Sequence, residues 1–79
     1  MDQALAKERL GGIFRDIFED PALEIRDSTT AADIDGWDSL THINLIVQVE
    51  KEFKIKLTTA EVRGLKNVGD FVALIAKKA

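Results

Sequence analysis

The sequence predicts an all-α domain: a small four-helix bundle with three longer helices, a short third helix and a long loop between helices 1 and 2. Three observations point there. Apolar residues recur at three- and four-residue spacing in several segments, the signature of one buried face on a helix. Helix-start chemistry stands at Thr58 and Asn67. The one alternating run, Lys54-Ile55-Lys56-Leu57, has no partner strand elsewhere and reads as an extended connector. Seventy-nine residues make one core, so residues 1–79 are read as a single domain. With no cysteine, that core has no disulfide or thiolate metal staple, and 46% hydrophobic residues must hold it by packing.

The first helix is expected from about Gln3 to Phe18, where Leu10, Ile13, Phe14, Ile17 and Phe18 form one stripe and Asp2 is placed to cap the start. Gly11 and Gly12 weaken it, each by about 1 kcal/mol relative to Ala. Pro21 stops any continuation. Residues 22–38 read as a loop with little regular structure, in which Leu23, Ile25, Ile34 and Trp37 are apolar pegs holding a polar strap. A loop of that length in a compact domain is often functional.

The second helix, about Ser39 to Phe53, carries Leu40, Ile43, Ile46, Val47, Val49 and Phe53 as a broad apolar face. Thr58-Thr59-Ala60-Glu61 matches a capping box and opens a short third helix that Gly64 ends. Asn67 caps the fourth, with Asp70 in its first turn and Lys77 and Lys78 at its C-terminal end, each charge suiting the dipole. Val68, Phe71, Val72 and Ile75 line its buried side.

Charge narrows the function. From Asp16 to Asp38 there are eight carboxylates against Arg26 alone, and from Lys51 onward seven bases against three acids. This split argues against nucleic-acid binding, which favours one strongly positive face, and fits a protein partner read by complementary charge. The apolar runs are too short to insert into a membrane, and Met1-Asp2-Gln3 lacks the pattern of a secretory signal. The expectation is a cytoplasmic monomer.

The chemistry concentrates in Asp35-Gly36-Trp37-Asp38-Ser39-Leu40, where the acidic loop meets the second helix. A serine there has a plain structural reading, capping free backbone N–H groups. The same N–H groups and the helix dipole also make that end a favourable seat for an anion, including a phosphodiester on the serine oxygen.

Asp38-Ser39-Leu40, followed by Ile43, Leu45, Ile46, Val49, Glu50, Phe53, Ile55 and Leu57, resembles the acyl carrier protein family. Leu65, Asn67-Val68, Asp70, Val72 and Ile75 extend the resemblance over essentially the whole chain. In that family the serine of Asp-Ser-Leu bears 4'-phosphopantetheine, placed there from coenzyme A by a phosphopantetheinyl transferase. The resemblance implies that Ser39 is an attachment point and not a nucleophile, and that the arm's thiol carries acyl groups for acyl-activating, ketosynthase or acyltransferase-type enzymes. It implies that Asp38 presents the serine and assists the transferase, that Leu40 turns inward or toward a partner, and that His42 flanks the arm. It also implies an acyl pocket lined by Ile46, Val49, Leu57, Val62 and Leu65, residues that double as ordinary core. The carrier itself catalyses nothing.

Fatty-acid carriers of the family usually show an acidic second helix, but here the matching positions include Thr41, Asn44 and Lys51, while Asp38, Glu50 and Glu52 remain acidic. The expected partner face comprises Asp35, Trp37, Thr41, Asn44, Glu50 and Lys51. Lost charges weaken docking to an ordinary fatty-acid synthase partner and favour a specialised pathway: polyketide, nonribosomal peptide or unusual lipid assembly. Trp37 has two readings, a shelf for arm or partner and a peg fixing the loop, and the peg is preferred.

Other chemistries fit less well. Ser39 and His42 share a helix side, but nothing supplies a substrate pocket and oxyanion donors for nucleophilic catalysis. Asp33, Asp35 and Asp38 around Gly36 suggest a calcium loop, yet the EF-hand register puts Ala31 and His42 where carboxylates belong, so no metal site is expected. Two rivals stay open: an aminoacyl, D-alanyl or peptidyl carrier, and a helical interaction module that is never modified.

Overall fold

The computed structural model describes residues 1–79 and contains four α-helices: α1 (Gln3–Ile17), α2 (Ser39–Phe53), α3 (Thr59–Arg63) and α4 (Val68–Lys78). α1 runs through Gly11 and Gly12 without a break and packs against both α2 and α4. Asp2 caps it as expected, and it ends one residue early, at Ile17, with Glu19 turning left-handed at φ 51°. Asn67 and Thr58 each form reciprocal capping boxes, with Asp70 and Glu61 respectively.

Fourteen apolar side chains form one core, and Phe14, Phe71, Leu10, Leu45, Ile75, Val49 and Val68 are its fully buried centre. Each such Leu, Ile or Phe contributes about 1.5–3 kcal/mol by leaving water. No polar side chain is buried, so the core's cohesion is apolar throughout.

The long loop is more ordered than its sequence suggests. A 3-10 turn spans Ala31–Asp33, boxed by Thr30 and Asp33. Thr29 and Asp27 offer carbonyl oxygens to the N–H groups of Val68 (2.9 Å) and Gly69 (2.8 Å). The physical reason is that the first turn of α4 has free donors, and the loop backbone supplies the acceptors. Gly69 permits the approach, since a Cβ there would sit 3.0 Å from the Asp27 carbonyl oxygen. Ile34 and Trp37 are buried pegs, and Leu23 and Ile25 pack half-buried against the core.

The apolar residues of α2 divide into two stripes, which corrects the single broad face expected for it. Leu45, Ile46, Val49 and Phe53 are buried, whereas Leu40, Ile43 and Val47 are 70%, 59% and 39% exposed. Positions 40, 43 and 47 make a row of their own at helical spacing, turned away from the bundle.

α3 has no fully buried residue; Val62 packs half-buried against the core, and polar contacts tie down its edges. The Glu50 carboxylate accepts the Leu57 N–H at 2.9 Å, and Lys78 Nζ reaches both Glu61 (2.8 Å) and the Lys56 carbonyl (2.7 Å). No helix is long and apolar enough to cross a membrane.

Candidate functional site

The loop reaches α2 through a tight, sequence-specific turn. Gly36 has φ +87°, a conformation that costs other residues about 1–2 kcal/mol, and its neighbours close the turn through Trp37 N–H to the Ile34 carbonyl (3.3 Å). Burial of Ile34 and Trp37 on either side then fixes where the next residues emerge.

Asp38 is the N-cap of α2: its carboxylate accepts the Thr41 N–H at 2.9 Å. The Thr41 amide, followed by the Thr41 hydroxyl, holds the Asp38 carboxyl below its usual range. Ser39 is therefore the first helical residue and not the cap, which corrects the plain structural reading of that serine. Its side chain is exposed and is used in no hydrogen bond within the chain. The Ser39 hydroxyl is thus left exposed at the bundle edge, with the capping done by the preceding residue.

One turn on, His42 is half-buried in an aromatic cluster and is not a free surface group. Its Nδ1 accepts the Trp37 indole N–H at 3.2 Å, its ring lies nearly parallel to that of Trp37 (centroids 6.1 Å apart, 18°), and Phe71 meets it edge-on at 5.8 Å. Phe14 stands against Trp37 at 5.2 Å and against Phe71 at 6.3 Å. Trp37 is only 8% exposed, so its place among the partner-facing residues is corrected to the core peg that was the preferred reading.

The rest of the expected partner face divides. Asp35, Asn44 and Lys51 are exposed and Thr41 is half-buried. Glu50 is turned to the α2–α3 connector, where Leu57 N–H occupies its carboxylate, so it belongs less to the outer face than expected. Leu40 points outward, resolving its two expected orientations. Ile43 and Val47, assigned to the buried face, join Leu40 instead; their offset from the 42–46–49–53 row was the available signal.

Of the residues expected to line a pocket, Ile46 and Val49 lie in the closed core, and Leu57, Val62 and Leu65 pack half-buried against it. One surface hollow lies between α1 and α2 beside Ile13, Ile17 and Gln48, and another, between α3 and α4, is lined by Leu65 of the expected set together with Leu74. Asp33, Asp35 and Asp38 do not gather into a metal-binding group.

The family described as "Phosphopantetheine attachment site" matches residues 8–75. An acyl carrier protein of Acidothermus cellulolyticus is 31% identical over 77 residues, covering 92% of each chain. One from Thermotoga maritima is 40% identical over 43 residues, about half of each chain (54% and 53%). The solution structure of holo acyl carrier protein from Geobacter metallireducens superposes with a TM-score of 0.87 at 46% identity, covering 92% of this chain and 84% of that one. With the match spanning the helices, the loop and the exposed serine at the head of α2, this chain belongs to the acyl carrier protein family, non-catalytic carriers with a covalently attached phosphopantetheine.

Proposed function

We propose that Ser39 is the attachment point and that this carrier serves a specialised biosynthetic pathway. The observation that carries the first part is the exposed Ser39 hydroxyl, free of internal hydrogen bonds at the first position of α2 while Asp38 performs the capping. These residues fit a phosphopantetheine. The positive end of the α2 dipole lies under the serine oxygen and favours a phosphodiester there, and nothing in the chain covers that oxygen. Under a transferase, Ser39 Oγ bonds to the pantetheine phosphate of coenzyme A, adenosine bisphosphate leaves, and the hydroxyl proton passes to a base of that enzyme. When attached, the arm supplies a thiol that holds the acyl group as a thioester. Asp38 holds the helix start rigid, so the serine is presented in one place.

Support for a specialised pathway comes from α2. Thr41, Asn44 and Lys51 stand where fatty-acid carriers of the resembled type are acidic, and the Glu50 carboxylate is engaged by Leu57. The outer surface therefore runs from Asp35 and Asp38 at the Ser39 end to Lys51, Lys54 and Lys56 at the other, with the apolar row Leu40, Ile43 and Val47 between. Such a bipolar face suits a partner with the opposite order of charges and disfavours a uniformly basic one. Activating, ketosynthase or acyltransferase-type enzymes of polyketide, nonribosomal peptide or unusual lipid assembly, acting in the cytoplasm, are the partners this reading assigns.

The test is intact-protein mass after incubating the apo protein with coenzyme A, magnesium and a broad-specificity phosphopantetheinyl transferase. One added phosphopantetheine on the wild type and none on Ser39→Ala is the expected result. No addition to folded wild type by several transferases, or equal addition to the Ala variant, would refute attachment at Ser39.

A further inference from the structure

Ser39, His42, Ile46 and Val49 follow one another along one side of α2, three or four residues apart. The direct way from the Ser39 hydroxyl to the apolar interior at Ile46 and Val49 therefore passes the ring of His42. That ring is held by two neighbours: Trp37, whose indole N–H bonds to it at 3.2 Å with the rings nearly parallel, and Phe71, which meets it edge-on. Phe14 and Phe71, 0% and 1% exposed, back the indole in turn. Rings from α1, the loop, α2 and α4 thus fill the end of the bundle that lies beneath Ser39.

Interiors packed this closely admit a flexible chain only by displacing what is there. Swinging His42 aside strips the indole N–H of its acceptor inside an 8%-exposed residue, and an unsatisfied buried donor opposes the movement. His42 would also lose its edge contact with Phe71.

We propose that the Trp37–His42 pair is a specificity-determining bar that keeps acyl chains out of the bundle. The carrier then suits short or polar acyl groups, of acetyl, malonyl or aminoacyl size, that remain at the surface. This rests on attachment at Ser39 and narrows the cargo of that same site.

The full chain is loaded by the transferase with acetyl- or decanoyl-coenzyme A, and each product is confirmed by intact mass. Absence of both products overturns the attachment reading and this proposal with it, whereas a failure of the proposal alone appears only in loaded protein. Two readouts follow: melting temperature, which rises if a chain binds inside the folded state, and the rate of thioester cleavage by hydroxylamine. Wild type is expected to melt alike with either group and to be cleaved within about twofold of the same rate. His42→Ala is expected to slow cleavage of the decanoyl form about fivefold or more and to raise its melting temperature, leaving the acetyl form unchanged. Trp37→Phe, which removes the indole N–H and keeps a ring, is expected to do the same to a smaller degree. Protection of the decanoyl chain in wild type, or its absence in both folded variants, overturns the bar.

Discussion

The Asp38 carboxylate accepts the Thr41 N–H at 2.9 Å, and this single bond separates two jobs that sequence alone leaves merged on Ser39. Asp38 caps α2, and the serine next to it is released from structural duty. Ser39→Ala is therefore expected to change stability by less than about 0.5 kcal/mol, the range of an exposed site without special contacts. Urea denaturation measures it, and a loss well above 1 kcal/mol would mean the hydroxyl has a structural role.

The same cap makes stability fall in acid. The Asp38 and Glu61 carboxyls are both held below their ordinary values of 3.8 and 4.5, Glu61 by Lys78 first and then by the Thr58 amide. A folded-state value below the unfolded one means the stabilisation is present above the unfolded value and is lost as pH falls through the folded one. Urea midpoints should hold steady from neutral pH down to about 5 and decline below about 4. Asp38→Asn keeps a capping oxygen without a titrating carboxyl, so part of that decline should vanish.

Trp37→Phe leaves His42 without its indole donor and shrinks a core ring. A cost of about 1–3 kcal/mol is expected, combining a lost buried hydrogen bond with lost packing, and Trp37→Ala should cost about 3–5 kcal/mol. Far-UV circular dichroism with denaturant follows both variants. A neutral Trp37→Ala would contradict the 8% exposure found for this residue.

Gly36→Ala forces a side chain to adopt φ +87°. The expected loss is about 1–2 kcal/mol, together with slower modification by the transferase because the Asp38–Ser39 turn is displaced. Equal modification rates for variant and wild type would show that the turn does not control presentation of the serine.

Restoring acid to the outer face tests the partner reading. Asn44→Glu with Lys51→Glu touches only exposed side chains, so stability should move by less than about 0.5 kcal/mol per site. Transfer from a fatty-acid-type acyltransferase with a basic docking patch should quicken several-fold at low salt and lose that gain at high salt. No salt-dependent gain would mean α2 charge does not select the partner.

Helix positions were legible because caps and periodicity are local: Asp2, Thr58-Glu61 and Asn67-Asp70 act within four residues of themselves. The long loop was harder, since the acceptors for the first turn of α4 come from Thr29 and Asp27, some forty residues away in sequence. The box from Thr30 to Asp33 is the one local sign of its 3-10 turn. α2 misled because hydropathy does not distinguish an apolar row facing the core from one facing a partner; only the neighbours of Leu40, Ile43 and Val47 settle that. At the site, the serine's position was readable, but the division of labour with Asp38 and the His42 indole bond depend on rotamers fixed by Phe14 and Phe71.

Lys78 gives α3 a character that the other helices do not share. One ammonium at the end of α4 grips both the Glu61 carboxylate and the Lys56 carbonyl, while α3 itself buries no residue completely. Its attachment thus adds partly exposed ionic contacts to the half-buried packing of Val62, and salt screens those contacts far more than it weakens apolar packing. Rising ionic strength is therefore expected to quicken deuterium exchange of the α3 amides relative to those of α1, α2 and α4, which stay protected.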